Sequence, residues 1–100
     1  MATITTSADG RKIKAVVAAG ETTGAIYVNP SCTIVGTPGS GGTLLAQATW
    51  SSEVDVAAGI ANWQNWDAGA SATAVSQKLP DATAVRFTAT VATGVGEVSR

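Results

Sequence analysis

The sequence contains no histidine and a single cysteine, Cys32. Without histidine there is no side chain whose ordinary pKa lies near neutrality, no Cys–His nucleophile, and none of the commonest metal ligand. A lone cysteine excludes an internal disulfide. Charge is scarce as well: Asp, Glu, Lys and Arg make up 13% of the chain, against roughly 25% in an average soluble domain. The net charge is −1, and the only cluster among the six basic residues is Arg11, Lys12 and Lys14. Nucleic-acid binding usually relies on clustered Lys and Arg that displace counterions from phosphates, so no nucleic-acid partner is expected. No apolar run approaches the ~20 residues of a membrane-spanning helix, and no membrane association is expected. The opening Met1-Ala-Thr-Ile-Thr-Thr-Ser-Ala-Asp-Gly10 has neither a basic region nor an apolar stretch. It does not read as a signal peptide, so synthesis and folding in a cytosol are expected. One hundred residues have room for a single domain.

What is present is small and β-branched. Ala, Thr, Val and Ser occupy 52 of 100 positions, with 19 Ala and 14 Thr. The apolar content and low net charge are sufficient for folding. Along the chain the pattern has a period of two, as in strands with one face buried. Lys12 to Ala18 alternates Ile13, Ala15 and Val17 with Lys12 and Lys14. Thr43 to Trp50 sets Leu44, Ala46, Ala48 and Trp50 on one face, and Thr83 to Val91 does the same with Val85, Phe87, Ala89 and Val91. Further strands are expected in Thr23 to Asn29, Cys32 to Val35, Glu53 to Val56, Ser71 to Leu79 and Val95 to Ser99. Turn signals separate them: Asp9-Gly10, Ala19-Gly20, Asn29-Pro30, the glycine-rich stretch Gly36 to Gly42, Pro80-Asp81 and Thr93-Gly94, the last reading as a tight hairpin. The expectation is an all-β chain. Residues 1–10 form a flexible N-terminal arm, and residues 11–100 form one small antiparallel β-sandwich of seven or eight short strands, jelly-roll or Ig-like.

No catalytic, cofactor-binding or metal-binding residue is assigned. Glu53 and Asp55 read as two carboxylates on the solvated face of a strand, and no Asp-rich loop supplies the six or so oxygen ligands that Ca²⁺ needs. The Gly36 to Gly42 loop lacks the Lys-Ser/Thr ending of a phosphate loop and leads into a strand, so it reads as a hairpin tip. Cys32 reads as a small buried apolar residue. Lys14 and Lys78 fall on polar strand faces and are poor candidates for a buried lysine base. The most distinctive segment is Trp63-Gln-Asn-Trp66-Asp67. Its indoles suit three roles: a plug at an open end of the sandwich, a protein interface, or a sugar-stacking platform. The first carries most weight, because only five aromatic residues are available to fill the core. Arg11, Lys12 and Lys14 read as edge lysines that block aggregation or as a basic edge for an acidic partner surface. Thr3, Ile4 and Thr5 of the arm are suited to adding a strand to a partner's sheet.

The polar start Met1-Ala-Thr-Ile-Thr-Thr, the Trp63…Trp66-Asp67-Ala-Gly69 segment, the closing Leu79-Pro-Asp-Ala-Thr-Ala-Val-Arg86-Phe-Thr-Ala-Thr, and the Ala/Thr/Gly/Val-rich, Lys- and Glu-poor composition resemble the small all-β virion structural proteins of tailed bacteriophages, especially capsid decoration (cement) proteins. The resemblance implies a non-enzymatic protein located in the virion. It implies the major capsid protein or other virion proteins as partners, and a symmetric homo-oligomer such as a trimer. A tail or head-tail accessory role fits the same resemblance, and a carbohydrate-binding module using Trp63 and Trp66 is the alternative from the residues. The resemblance maps no site residue by residue; from the residues themselves the expected partner-facing positions are Thr3, Ile4, Thr5, Arg11, Lys12, Lys14, Trp63, Trp66 and Asp67.

Overall fold

The computed structural model describes residues 3–28 and 31–100. Met1, Ala2 and the expected turn at Asn29-Pro30 lie outside the described residues. Among those described, the chain forms nine strands and one short helix: β1 (Thr3–Thr6), β2 (Lys12–Val17), β3 (Ile26–Tyr27), β4 (Ser31–Thr37), β5 (Thr43–Thr49), α1 (Glu53–Ala58), β6 (Trp63–Asn65), β7 (Val75–Pro80), β8 (Ala84–Thr90) and β9 (Gly94–Ser99). All pairings are antiparallel, in a five-stranded sheet of order β1-β2-β9-β4-β7 and a four-stranded sheet of order β3-β8-β5-β6.

The pairings are nested. From β2 onward the first strand pairs with the last, the second with the next to last, and so inward: β2 with β9, β3 with β8, β4 with β7, β5 with β6. Folding this antiparallel ribbon over on itself adds the contacts β4 with β9 and β5 with β8. The result is a jelly-roll sandwich, one of the two topologies the strand pattern allows, with β1 added at one edge.

The period-two pattern is realised in burial. Ile13, Ala15 and Val17 of β2, Leu44, Ala46 and Ala48 of β5, and Val85, Phe87 and Ala89 of β8 all enter the core. Phe87 is the largest fully buried side chain and lies between the sheets. It fits because β9 offers no side chain at Gly96, where an added Cβ would stand 2.6 Å from the ring. Gly36 of β4 makes the same concession to Trp66, whose Cη2 would lie 2.6 Å from an added Cβ. Glycine in a strand interior commonly marks such close approaches.

Six expectations are corrected. The described part of the N-terminal arm is not free, because Thr3–Thr6 pair with β2 from Thr3↔Val16 to Thr6↔Ile13. Glu53 to Val56 is not a strand but the first part of α1. The Ser52 hydroxyl caps the helix by accepting from the Asp55 N–H at 3.2 Å, Glu53 and Asp55 occupy the first turn, and Gly59 ends it at φ 77°. These are local helix signals, and they prevail where β5 is already flanked on both sides by β8 and β6. Gly36 to Gly42 and Thr93-Gly94 are not hairpins: β4 and β5, like β8 and β9, lie in different sheets, so both connections cross the sandwich. Trp50 does not continue the inward face of β5, since the strand ends at buried Thr49 and Trp50 is 46% exposed, its Nε1–H donating to the Pro80 carbonyl at 2.9 Å. Val91 likewise leaves the β8 alternation and is 76% exposed, at φ 74°, a conformation strained for a β-branched residue.

The Phe87–Gly96 contact yields a direct test. Gly96→Ala is expected to lower folding stability by about 1–3 kcal/mol through overpacking. Gly24→Ala, where an added Cβ meets nothing within 4 Å, should leave the denaturation midpoint nearly unchanged. Equilibrium chemical unfolding of both variants measures the difference.

Candidate functional site

The outer face of the five-stranded sheet gathers most of the chain's positive charge. Strand register places Lys12, Ser99, Thr33 and Lys78 in one row across four strands. The next row holds Thr5, Lys14, Glu97, Val35 and Ser76, and the third holds Thr3, Val16, Val95 and Thr37. All of these side chains are exposed or half-buried. The Lys12 ammonium donates to the Ser99 hydroxyl at 3.0 Å. Thr33, Lys78, Ser99 and Arg100 line a shallow depression of about 380 Å³. Arg11 and Arg100 meet at the end of the β2–β9 pair, where the Arg100 N–H donates to the Arg11 carbonyl at 2.8 Å. Five of the six basic residues, Arg11, Lys12, Lys14, Lys78 and Arg100, therefore belong to this face or its end. Only one acid, Glu97, stands within its rows. The face is otherwise threonine, serine and valine.

The turn that leads into this face is built from side chains. The Asp9 carboxylate accepts from the Ser7 hydroxyl at 2.6 Å and from the Arg11 N–H at 3.1 Å, while the Ser7 oxygen accepts from the Lys12 N–H at 3.1 Å. Such hydrogen bonds favour the charged carboxylate. The Ser7 hydroxyl first, and then the Arg11 amide, hold Asp9 below the usual carboxylate range. This turn fixes β1 against β2 and sets Thr3 and Thr5 on the same face as Lys12 and Lys14.

The tryptophan segment does not act as one site. Trp63 and Trp66 are three residues apart, an odd spacing that sends neighbouring strand side chains to opposite faces. Trp66 is 4% exposed, and its Nε1–H donates to the Gly69 carbonyl. It plugs the core over Gly36 and has no face free to stack on a ligand. Trp63 lies on the outer face of the four-stranded sheet, where the Arg86 guanidinium sits 4.3 Å from its ring centroid, a cation–π geometry. Arg86 Nε–H donates to Gln47 Oε1 at 2.7 Å, and Gln47 Nε2–H donates to Asn65 Oδ1 at 2.9 Å. This chain of contacts ties β8, β5 and β6 together. Asp67 is exposed, and its backbone N–H donates to Gln77 Oε1 at 3.0 Å.

Of the positions expected to face partners, the structure therefore brings together Thr3, Thr5, Lys12 and Lys14, with Arg11 at the end of the face and Ile4 on its edge strand. It does not gather Trp63, Trp66 and Asp67 with them or into one site: Trp63 lies against Arg86, Trp66 is in the core, and Asp67 beside it is exposed. Lys78, Ser99 and Arg100 were missed, because they join Lys12 only through the β2–β9–β4–β7 order. Val54 and Ile60, at 76% and 71% exposure, were missed: Val54 because 53–56 read as a strand with Val54 inward, and Ile60 because 57–69 read as a loop crossing an end of the sandwich; for Val54 the Ser52…Asp55…Gly59 capping pattern was the available signal.

The remaining candidates are reported where they fall. Glu53 and Asp55 share the first turn of α1 and, two residues apart on a helix, do not face one way. Cys32 is buried and unpaired, and burial pushes its thiol up to about 11. Among the described residues no group of three or more His, Cys, Asp or Glu stands together, and no helix is long and apolar enough to cross a membrane. No family model matches the chain, and neither curated proteins nor solved structures give a match.

Two outcomes follow from these groups. The contribution of Asp9 to the turn is complete above the ordinary carboxylate value of ~3.9 and fades as pH falls through its lower folded value. Acidification through that range is expected to lower the protection factors of the β1 amides, the observed exchange rate being taken against the intrinsic rate at each pH, before the sandwich unfolds, and Asp9→Ala to lower them at neutral pH; NMR-detected exchange reads both. At pH 8 the buried, protonated Cys32 should be alkylated many-fold more slowly in the native protein than in denaturant, as followed by mass spectrometry.

Proposed function

We propose that this chain is a non-enzymatic virion structural protein of the capsid-decoration type. In this reading it binds an assembled shell through the outer face of its five-stranded sheet and thereby stabilises the shell. The observation that carries the reading is the placement of Lys12, Lys14 and Lys78 on one threonine- and valine-rich face, with Arg11 and Arg100 at its end, in a chain with only six basic residues. Such a face suits adhesion to an acidic protein surface, with the charges steering and orienting the contact and the short uncharged side chains allowing close approach. The partner proposed is the major capsid protein, with other virion proteins of head or tail as the variants of the same reading. A low overall charge is economical for a protein whose faces are covered by neighbours. A sugar platform that uses both Trp63 and Trp66 has less support, because Trp66 is enclosed and Trp63 is already stacked against Arg86.

The test is co-sedimentation with empty capsids. Binding is expected, weakening as salt is raised and falling sharply for Lys12→Glu combined with Lys78→Glu. Val54→Ser on the exposed helix should leave it unchanged. Absence of binding to any assembled particle, or binding indifferent to the double charge reversal, overturns the reading.

A further inference from the structure

The two sheets present four edge strands: β1 and β7 in one, β3 and β6 in the other. Three of them carry the features by which proteins discourage edge-to-edge pairing. β7 bears exposed Lys78 and ends in Pro80, which has no N–H to offer; β3 is two residues long and β6 three. β1 has none of these. Its four residues, Thr3-Ile4-Thr5-Thr6, are all β-branched, uncharged and exposed.

The outward groups of this edge follow from its pairing with β2. The Ser7 N–H donates to the Lys12 carbonyl at 2.8 Å, so in the antiparallel alternation Thr5 (opposite Lys14) and Thr3 (opposite Val16) also bond inward to β2. The N–H and C=O of Ile4 and Thr6 then point away from the sheet. Ile4 also stands opposite core residue Ala15, on the inner side of the sheet, yet it is 47% exposed. The five-stranded sheet is one strand wider than the sheet that covers it, and β1 overhangs. An apolar side chain on the core side is left without a lid.

We infer that β1 is a self-association edge: two copies of this chain pair antiparallel through β1 about a two-fold axis at Thr5, joining their five-stranded sheets into one continuous sheet. In this register Ile4 of each copy pairs with Thr6 of the other, and all four outward N–H and C=O groups of Ile4 and Thr6 find partners. Faces are conserved, because a shift of one residue would turn every side chain to the wrong side. The two Ile4 side chains lie diagonally across the axis on the inner side and cover each other, within reach for long side chains. On the outer side the two Thr5 side chains meet. The nearest like charges, Lys14 of each copy, are three strand spacings apart, about 14 Å, which exceeds the screening length of roughly 8–10 Å in physiological salt. The contact is isologous and therefore closes at two copies. This inference rests on the reading of the chain as an assembly component and gives it a two-fold contact in place of the expected trimer.

Cross-linking tests the register, and sedimentation tests the edge. Opposed residues in a non-hydrogen-bonded antiparallel pair have Cα atoms about 4.5 Å apart, within disulfide range. Thr5→Cys is therefore expected to form a covalent dimer on mild oxidation several-fold faster than Thr3→Cys, which lies on the same face away from the axis; buried Cys32 does not interfere. Wild-type protein should show a concentration-dependent monomer–dimer equilibrium in analytical ultracentrifugation. Ile4→Pro, which removes an outward N–H and leaves the bonds to β2 intact, should abolish the dimer, while its melting temperature matches that of wild type at concentrations where wild type is monomeric too. Ile4→Lys should do the same by placing like charges across the axis. Equal cross-linking of Thr5→Cys and Thr3→Cys, a monomer at every concentration, or an oligomer that survives both Ile4 variants overturns the inference. The assembly reading is judged separately: a monomeric Ile4→Pro protein that still sediments with capsids upholds it, and failure of dimeric wild type to do so refutes it.

Discussion

The structure depends on the seating of Phe87 between the sheets. It is the largest side chain with no exposure, and it occupies the space that Gly96 leaves open on the opposite sheet. Most of the rest of the core is alanine and valine. Such small side chains let the sheets approach closely but fill little volume, so a few large groups must occupy the gaps. Phe87 does this at the centre and Trp66 at one end, each facing a glycine. The pairing of β2 with β9 is coupled to the same contact, because Gly96 stands opposite Ala15 in that ladder. A side chain at Gly96 would disturb the ring and the strand register together.

From that frame the distribution of charge follows. The nested pairing brings residues from both ends of the chain onto neighbouring strands, so Lys12, Ser99, Thr33 and Lys78 form one row. The acids are spread over turns and α1, with Glu97 the exception on the basic face. A chain that is nearly neutral overall thus has a polarised surface. Polarity of this kind orients an approaching partner even where individual exposed charges contribute little energy. The four-stranded sheet is organised differently: its single cation, Arg86, is engaged by Trp63 and Gln47.

Much of the fold was legible in residue order. Alternation in 12–18 and 83–90 identified β2 and β8 with the correct inner faces, and the turn signals after them lie where the chain leaves each sheet. Misreadings arose where two local signals competed. The segment 53–56 alternates like a strand but is also capped like a helix, and with both sides of β5 occupied there was no free ladder for it to join. Trp50 continued an alternation that ended one residue earlier, at Thr49. The glycines at 36 and 96 resembled turn or weak-strand residues; their real constraint is a ring arriving from a distant part of the chain, which leaves no local trace.

The sequence by itself determined that the chain is built of strands, which face of most strands is apolar, and that charge is rare enough to leave most faces polar but uncharged. These properties are local, since side chains alternate along any strand whatever its neighbour. Only the tertiary structure decided which strands are neighbours, and with that which cations meet, that Trp63 and Trp66 part company, and that Thr3–Thr6 form an open edge instead of a loose arm. Backbone hydrogen bonds are the same for every residue and carry no address. The choice of partner strand rests on the packing of the whole core, and the surface that results is a property of that packing.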